Sequence, residues 1–171
     1  MTRPRPDITF TRLPDIAPEA ILAHMSHPVT ARHMPLLKEG WTLDTVSDFV
    51  TGKEACWHRD GLGHWAILAD GAYAGWGGFQ KEGDEWDFGL VLTPGRFGLG
   101  LPITRKALDF ARADARIPYV TFLLPPSRRT LRPLERLGAR FVGQVDHDGA
   151  AFLKFRLETS SAAPVFRAEN G

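Results

Sequence analysis

Ten residues, Thr93 to Pro102, contain three glycines and two prolines and run directly into a helical pattern, TPGRFGLGLPITRKALDFA. A helix start leaves several backbone N–H groups without intrahelical partners and carries the positive end of the peptide dipoles, so it attracts anions. Side chains would hold a phosphate away from those groups. Gly98 and Gly100 are therefore the residue type that contact requires, Arg96 can add a charge-assisted hydrogen bond, and Pro102 in the first turn costs no helical bond. The same glycines also suit a tight strand-to-helix turn that binds nothing. The spacing is not G-x-G-x-x-G, which argues against a dinucleotide fingerprint, and the missing Gly-Lys-Ser/Thr excludes a Walker loop.

Other side chains with reactive chemistry are scattered. His24, His27 and His33 lie within ten residues, and Cys56 is close to His58, but the spacing matches no standard zinc site and the expectation is no metal. His64 begins a strand, where it lines a pocket or, more simply, faces solvent. Cys56 has no nucleophile signature beyond His58. Trp41, Trp57, Trp65, Trp76 and Trp86 are expected in the core or as pocket walls, which identifies no substrate.

The elements that must position these residues follow from periodicity and turn signals. DITFTRL suggests a first strand, PDIAPEAILAHMSHP a proline-opened helix ending before Pro28, and TLDTVSDFVTGKEACWHRD a helix with Thr42 as N-cap. HWAILAD, GAYAGWGGFQ and EWDFGLVL read as three consecutive strands joined by turns at Asp70-Gly71 and in KEGDE. After the glycine turn come a helix with Ile103, Ala107, Leu108 and Ala111 on its apolar face, the buried-type strand YVTFLLP, a helix SRRTLRPLERLGARF closed by Gly138, and a hairpin turning at Asp148-Gly149.

The whole chain bounds the answer. Its 171 residues fit one domain (1–171, core about 7–157, with a polar tail at 158–171), and 43% hydrophobic with 24% charged residues is an ordinary globular composition. Twenty-one basic against twenty acidic residues give a formal charge of +1, so no broad field exists for nucleic acid or a membrane surface, and any anion site must be local. The single cysteine fits a reducing, cytoplasmic compartment, and no stretch approaches a membrane span or a signal peptide.

WDFGLVLTPGRFGLGLPITRKALDFA followed by YVTFLLPPSRRTLRPLERLGARFVG resembles the GNAT superfamily of acyl-CoA-dependent N-acetyltransferases, in the branch similar to ribosomal-protein N-terminal acetyltransferases. That family reads Arg/Gln-Gly-x-Gly-x-Gly/Ala after its fourth strand, and here the motif falls on Phe97-Gly98-Leu99-Gly100-Leu101-Pro102. The two central glycines match, while Phe97 replaces the polar first residue and Pro102 the last small one. The following helix matches at Ser127, Thr130, Arg132, Glu135, Arg136 and Gly138, with Ser127 where an asparagine usually touches the pantetheine arm. The resemblance implies a bacterial-type α/β (α+β) fold: a mixed sheet of about seven strands, parted between strands 4 and 5, with about four helices. It also implies acetyl-CoA as co-substrate, an amine acceptor, and compatibility with a homodimer.

The resemblance further implies that pantetheine pairs with the backbone of Leu90, Val91 and Leu92, and that amides from Phe97 to Pro102 hold the diphosphate. Direct acetyl transfer needs a base for the attacking amine and a proton for the departing thiolate. Asp87, two residues before Gly89, and Glu85 are the candidate bases, the pKa of Asp87 being raised if Trp86 and Trp76 wall it in. The tyrosine many relatives use as acid falls on Leu134, which leaves Ser127, Tyr119 or solvent. These departures keep open a second reading, an acyl-CoA-binding sensor without turnover.

Overall fold

The computed structural model describes residues 3–34, 40–127 and 131–160. Seven strands, β1 (Ile8–Thr11), β2 (His64–Ala69), β3 (Ala72–Glu82), β4 (Glu85–Leu92), β5 (Tyr119–Leu124), β6 (Arg140–His147) and β7 (Ala150–Glu158), form one sheet in the order β1-β2-β3-β4-β5-β7-β6. Every neighbouring pair is antiparallel except β4 and β5, which run parallel. The hairpins turn where the sequence places them. Asp70-Gly71 and Asp148-Gly149 both occupy the left-handed region, at φ 50 and 80 and at φ 48 and 82, which tight two-residue turns require.

Helices cover the sheet from both sides. The 14-residue α4 (Gly100–Ala113) buries Ile103, Ala107, Leu108 and Ala111, three of which pack on Trp65, Phe79, Trp86, Phe88, Val120, Phe122 and Phe155. That spacing is the apolar stripe read from the sequence. On the other face, α1 (Pro18–Ser26) and α3 (Leu43–Asp60) bring Ile21, Met25 and Val46 onto Ala66 and Trp76. Thr42 caps α3 by accepting from the Thr45 amide at 3.3 Å, and Gly61 ends it at φ 74. No helix among the described residues is long and apolar enough to cross a membrane.

Three elements differ from expectation. β1 ends at Thr11, because Pro14 starts a 3₁₀ turn (Leu13–Asp15) whose Leu13 is fully buried. A second short helix, α2 (Pro28–His33), follows Pro28, which opens it with fixed φ and no lost donor. The described helix before Gly138 is only α5 (Arg132–Arg136), so Ser127 lies in an exposed turn after β5 and not on a helix.

Candidate active site

β4 and β5 pair only over Trp86↔Val120, Asp87↔Thr121 and Phe88↔Phe122. On its other side β4 remains bonded to β3 through Gly75↔Leu92. From Gly89 onward the strand therefore has backbone groups toward β5 without a β5 residue opposite them, a parting in the middle of the sheet. Leu90, Val91 and Leu92 line that edge. An unpaired strand edge of this kind has the geometry to pair with an extended, amide-bearing chain.

The glycine turn lies just beyond this notch. Phe97–Leu99 form a 3₁₀ turn that leads into α4, and neither the turn nor the helix has a side-chain cap. Gly100 has φ −55 and ψ −47, ordinary right-handed helix, and only Gly95 in this stretch has positive φ, at 89. A methyl group at Gly98 would meet nothing within 4 Å, and one at Gly100 only Leu92 Cδ1 at 3.9 Å. The fold thus requires neither glycine for its own backbone or packing, and what they supply is bare backbone facing outward. Phe97 and Leu101 are exposed here, Arg96, Leu99 and Pro102 partly so. Thr130 lies outside the described residues.

Asp87 sits at the start of the notch. Alternation along β4 sends Trp86 and Phe88 into the α4-side core and Asp87 to the opposite face. There it lines a pocket of about 150 Å³ with Glu82, Glu85, Thr121, Val145 and Lys154, among others, contributed by strands alone. Thr121 Oγ1 donates to Asp87 Oδ1 at 2.9 Å. Burial raises the carboxyl from 3.8 to about 7, with Glu82 adding to the rise and the Thr121 hydrogen bond, His147 and Lys154 opposing it. The expected aromatic walls are not the cause: Trp86 points the other way, its indole N–H donating to the Arg116 carbonyl at 3.0 Å. Trp76 packs against Met25 and Phe49.

Glu85, the other candidate base, is engaged. Lys154 Nζ donates to it at 2.5 Å and the Tyr119 hydroxyl at 3.2 Å, and the Lys154 hydrogen bond holds its pKa below the usual carboxylate value. This leaves Glu85 a weak base and ties up Tyr119 as a proton donor. Leu134 packs partly buried against the core. His64, where solvent exposure was the simpler expectation, is buried instead: Lys53 of α3 donates to its Nδ1 at 3.0 Å and to Gln80 Oε1 at 2.9 Å. Lys53 had a readable signal, being a lysine four residues after Phe49 and seven after Val46 on the helix's inner face. Thr121, Lys154 and His147 had none, because strand pairing alone brings them beside Asp87.

No protein-family model matches the chain, and no curated protein matches it in sequence. Solved structures do match in shape. A Bordetella pertussis protein assigned to the GnaT family of acetyltransferases aligns over 91% of this chain and 97% of its own, with TM-score 0.69 and 20% identity. The chain has the GNAT acetyltransferase fold. A ribosomal L7/L12 alpha-N-protein acetyltransferase in complex with coenzyme A shares it over 88% of this chain and 93% of its own, at TM-score 0.71 and 12% identity. The aminoglycoside acetyltransferase AAC(6')-Ib, also with coenzyme A, shares it over the same proportions at TM-score 0.69 and 14% identity. The mixed seven-strand sheet and its parallel β4–β5 pair are those of the GNAT fold, parting included.

Proposed function

We propose that this chain is an acetyl-CoA-dependent N-acetyltransferase that transfers acetyl directly to a primary amine, of a small molecule or of a polypeptide N-terminus. The observation that carries the reading is the juxtaposition at one point of β4: a carboxyl raised to about 7 stands one residue before the last β4–β5 pair. The free edge of Leu90, Val91 and Leu92 takes the pantetheine as an added strand. The diphosphate rests on the bare backbone of the glycine turn at Gly98 and Gly100, with Arg96 beside it and Ser127 toward the arm. Coenzyme A bound in two structures of the same fold supports the use of acetyl-CoA.

Asp87 then takes the proton that the amine loses as it attacks the thioester carbonyl. A base with pKa near the working pH combines a useful ionised fraction with adequate basicity. Isothermal titration with CoA and acetyl-CoA tests the first half, and absence of binding at millimolar concentration overturns the reading. A thiol-release assay over amines, peptides and amino acids tests the second. Turnover on any acceptor rejects the sensor alternative, and tight CoA binding with a silent panel favours it.

A further inference from the structure

The site so far has a base and no acid. Tyr119 is bonded to Glu85, Leu134 cannot donate, and Ser127 sits in an exposed turn. On the Asp87 face, however, His64 reaches across β3 toward β4. Its strand partner is Gly78, whose own partner is Gly89, so the ring stands level with Gly89 of β4. A methyl group at Gly89 would stand 3.5 Å from His64 Cε1 and 3.6 Å from Nε2. Gly89 is the first β4 residue past the last β4–β5 pair. The imidazole therefore lies over the backbone where the sheet opens, with its inner nitrogen fixed by Lys53.

Lys53 determines which nitrogen carries the proton. Its ammonium has only donors, so Nδ1 accepts at 3.0 Å and the neutral ring bears its hydrogen on Nε2, the nitrogen beside Gly89. Nε2 has no other hydrogen-bond partner among the described residues. Burial and the Lys53 charge keep the imidazole neutral, and burial lowers Lys53 to about 8, opposed weakly by Cys56 of α3 and Glu82 of β3. Trp76, with Lys53 Nζ 4.8 Å from its ring centroid and its own centroid 5.5 Å from that of His64, closes the cluster from the helix side.

We propose that His64 is the acid of the transfer, giving its Nε2 proton to the departing thiolate while Nδ1 takes a proton from the Lys53 ammonium. The inference rests on the site being an acetyl-CoA transferase. As the tetrahedral adduct collapses, the carbon–sulfur bond breaks and its electron pair leaves with sulfur. The sulfur gains the Nε2 proton, Lys53 becomes neutral, and Asp87 holds the proton lost by the amine. A proton from water re-enters at Nε2 while Nδ1 returns its own to Lys53, and Asp87 loses one to water, which closes the cycle. The acid is thus supplied through the imidazole, which never becomes a cation.

The test is imidazole ¹⁵N NMR of the wild-type protein with CoA and with desulfo-CoA, which lacks only the thiol, beside calorimetry of both ligands. The His64 signals are assigned by their loss in His64→Gln or, should that variant not fold, by the Nδ1 shift in Lys53→Met. The expected result is an Nε2–H neutral tautomer between pH 6 and 7, where Lys53 is an ammonium, with an Nε2 resonance that moves on adding CoA and stays in place with desulfo-CoA. Equal responses to two ligands that calorimetry shows bound overturn the proposal and leave the acetyltransferase reading intact; failure of CoA to bind overturns both. In turnover, Lys53→Met is expected to lower kcat about 100-fold with unchanged CoA affinity. It is also expected to remove a falling pH limb near 8, and persistence of that limb in the folded variant refutes the role of Lys53.

Discussion

Asp87→Asn isolates the energetic cost of keeping a carboxyl in a strand-walled pocket. In the folded chain the group titrates near 7 and in the unfolded chain near 3.8, so the native state binds more protons throughout that interval. Stability therefore falls as pH rises from about 4 to about 7, and above 7 the full cost is present. The difference of about 3 between the two values corresponds to about 4 kcal/mol. Asparagine is close in size, still accepts from Thr121, and has no charge to desolvate. The variant is expected to match the wild type near pH 4 and to exceed it progressively up to pH 8. At roughly 2–4 °C per kcal/mol for a domain of this size, melting temperatures should separate by about 8–16 °C. Activity should move oppositely, falling by about 10²- to 10⁴-fold for loss of the base. Differential scanning calorimetry of both proteins from pH 4 to 8 measures the gap. A gap that does not widen with pH, or a variant less stable than wild type at pH 8, refutes the assignment of a half-buried, raised carboxyl.

Gly100→Val should melt close to the parent without ligand, since the position is helical and open, yet lose the rise in melting temperature that CoA gives; retention of the full rise would falsify the diphosphate cradle. Lys154→Met removes the partner that lowers the Glu85 pKa, and urea unfolding at pH 7 should show a loss of about 1 kcal/mol. A depressed carboxyl contributes above its unfolded pKa, so that loss should fade as pH drops through and below the ordinary carboxylate range. Phe155→Ala, at a position 1% exposed in the main core, should cost about 3–5 kcal/mol by the same method.

The sequence made visible those parts of the fold that depend on local pattern. The turns at Asp70-Gly71 and Asp148-Gly149, the Thr42 cap and the apolar stripe of α4 each leave a signature within a few residues, and the structure reproduces them. The raised pKa of Asp87 has another cause than the expected indoles: alternation sends its neighbour Trp86 away, and the pocket around the carboxyl is lined from β3 through β7. The Lys154–Glu85 pair spans 69 residues and depends on the order in which strands join, which no window of sequence encodes. His64 is buried against the simpler expectation of solvent exposure because Lys53 from α3 and the bare Gly89 of β4 enclose its ring, contacts that only the assembled sheet and helix bring together.

The parting between β4 and β5 has a consequence for how such a chain drifts. Recognition through main-chain groups places no demand on side-chain identity at the positions that do it. In the proposed site Leu90, Val91 and Leu92 meet the ligand through their backbone, so their side chains answer to the core they pack in, and the glycine turn asks only for smallness. A fold built around such a notch tolerates wide sequence divergence without losing its shape, as the 12–20% identities at TM-scores near 0.7 illustrate. In the proposed reading, selection for new acceptors acts on a separate set of side chains, those of the opposite face around Asp87, so the two can change independently.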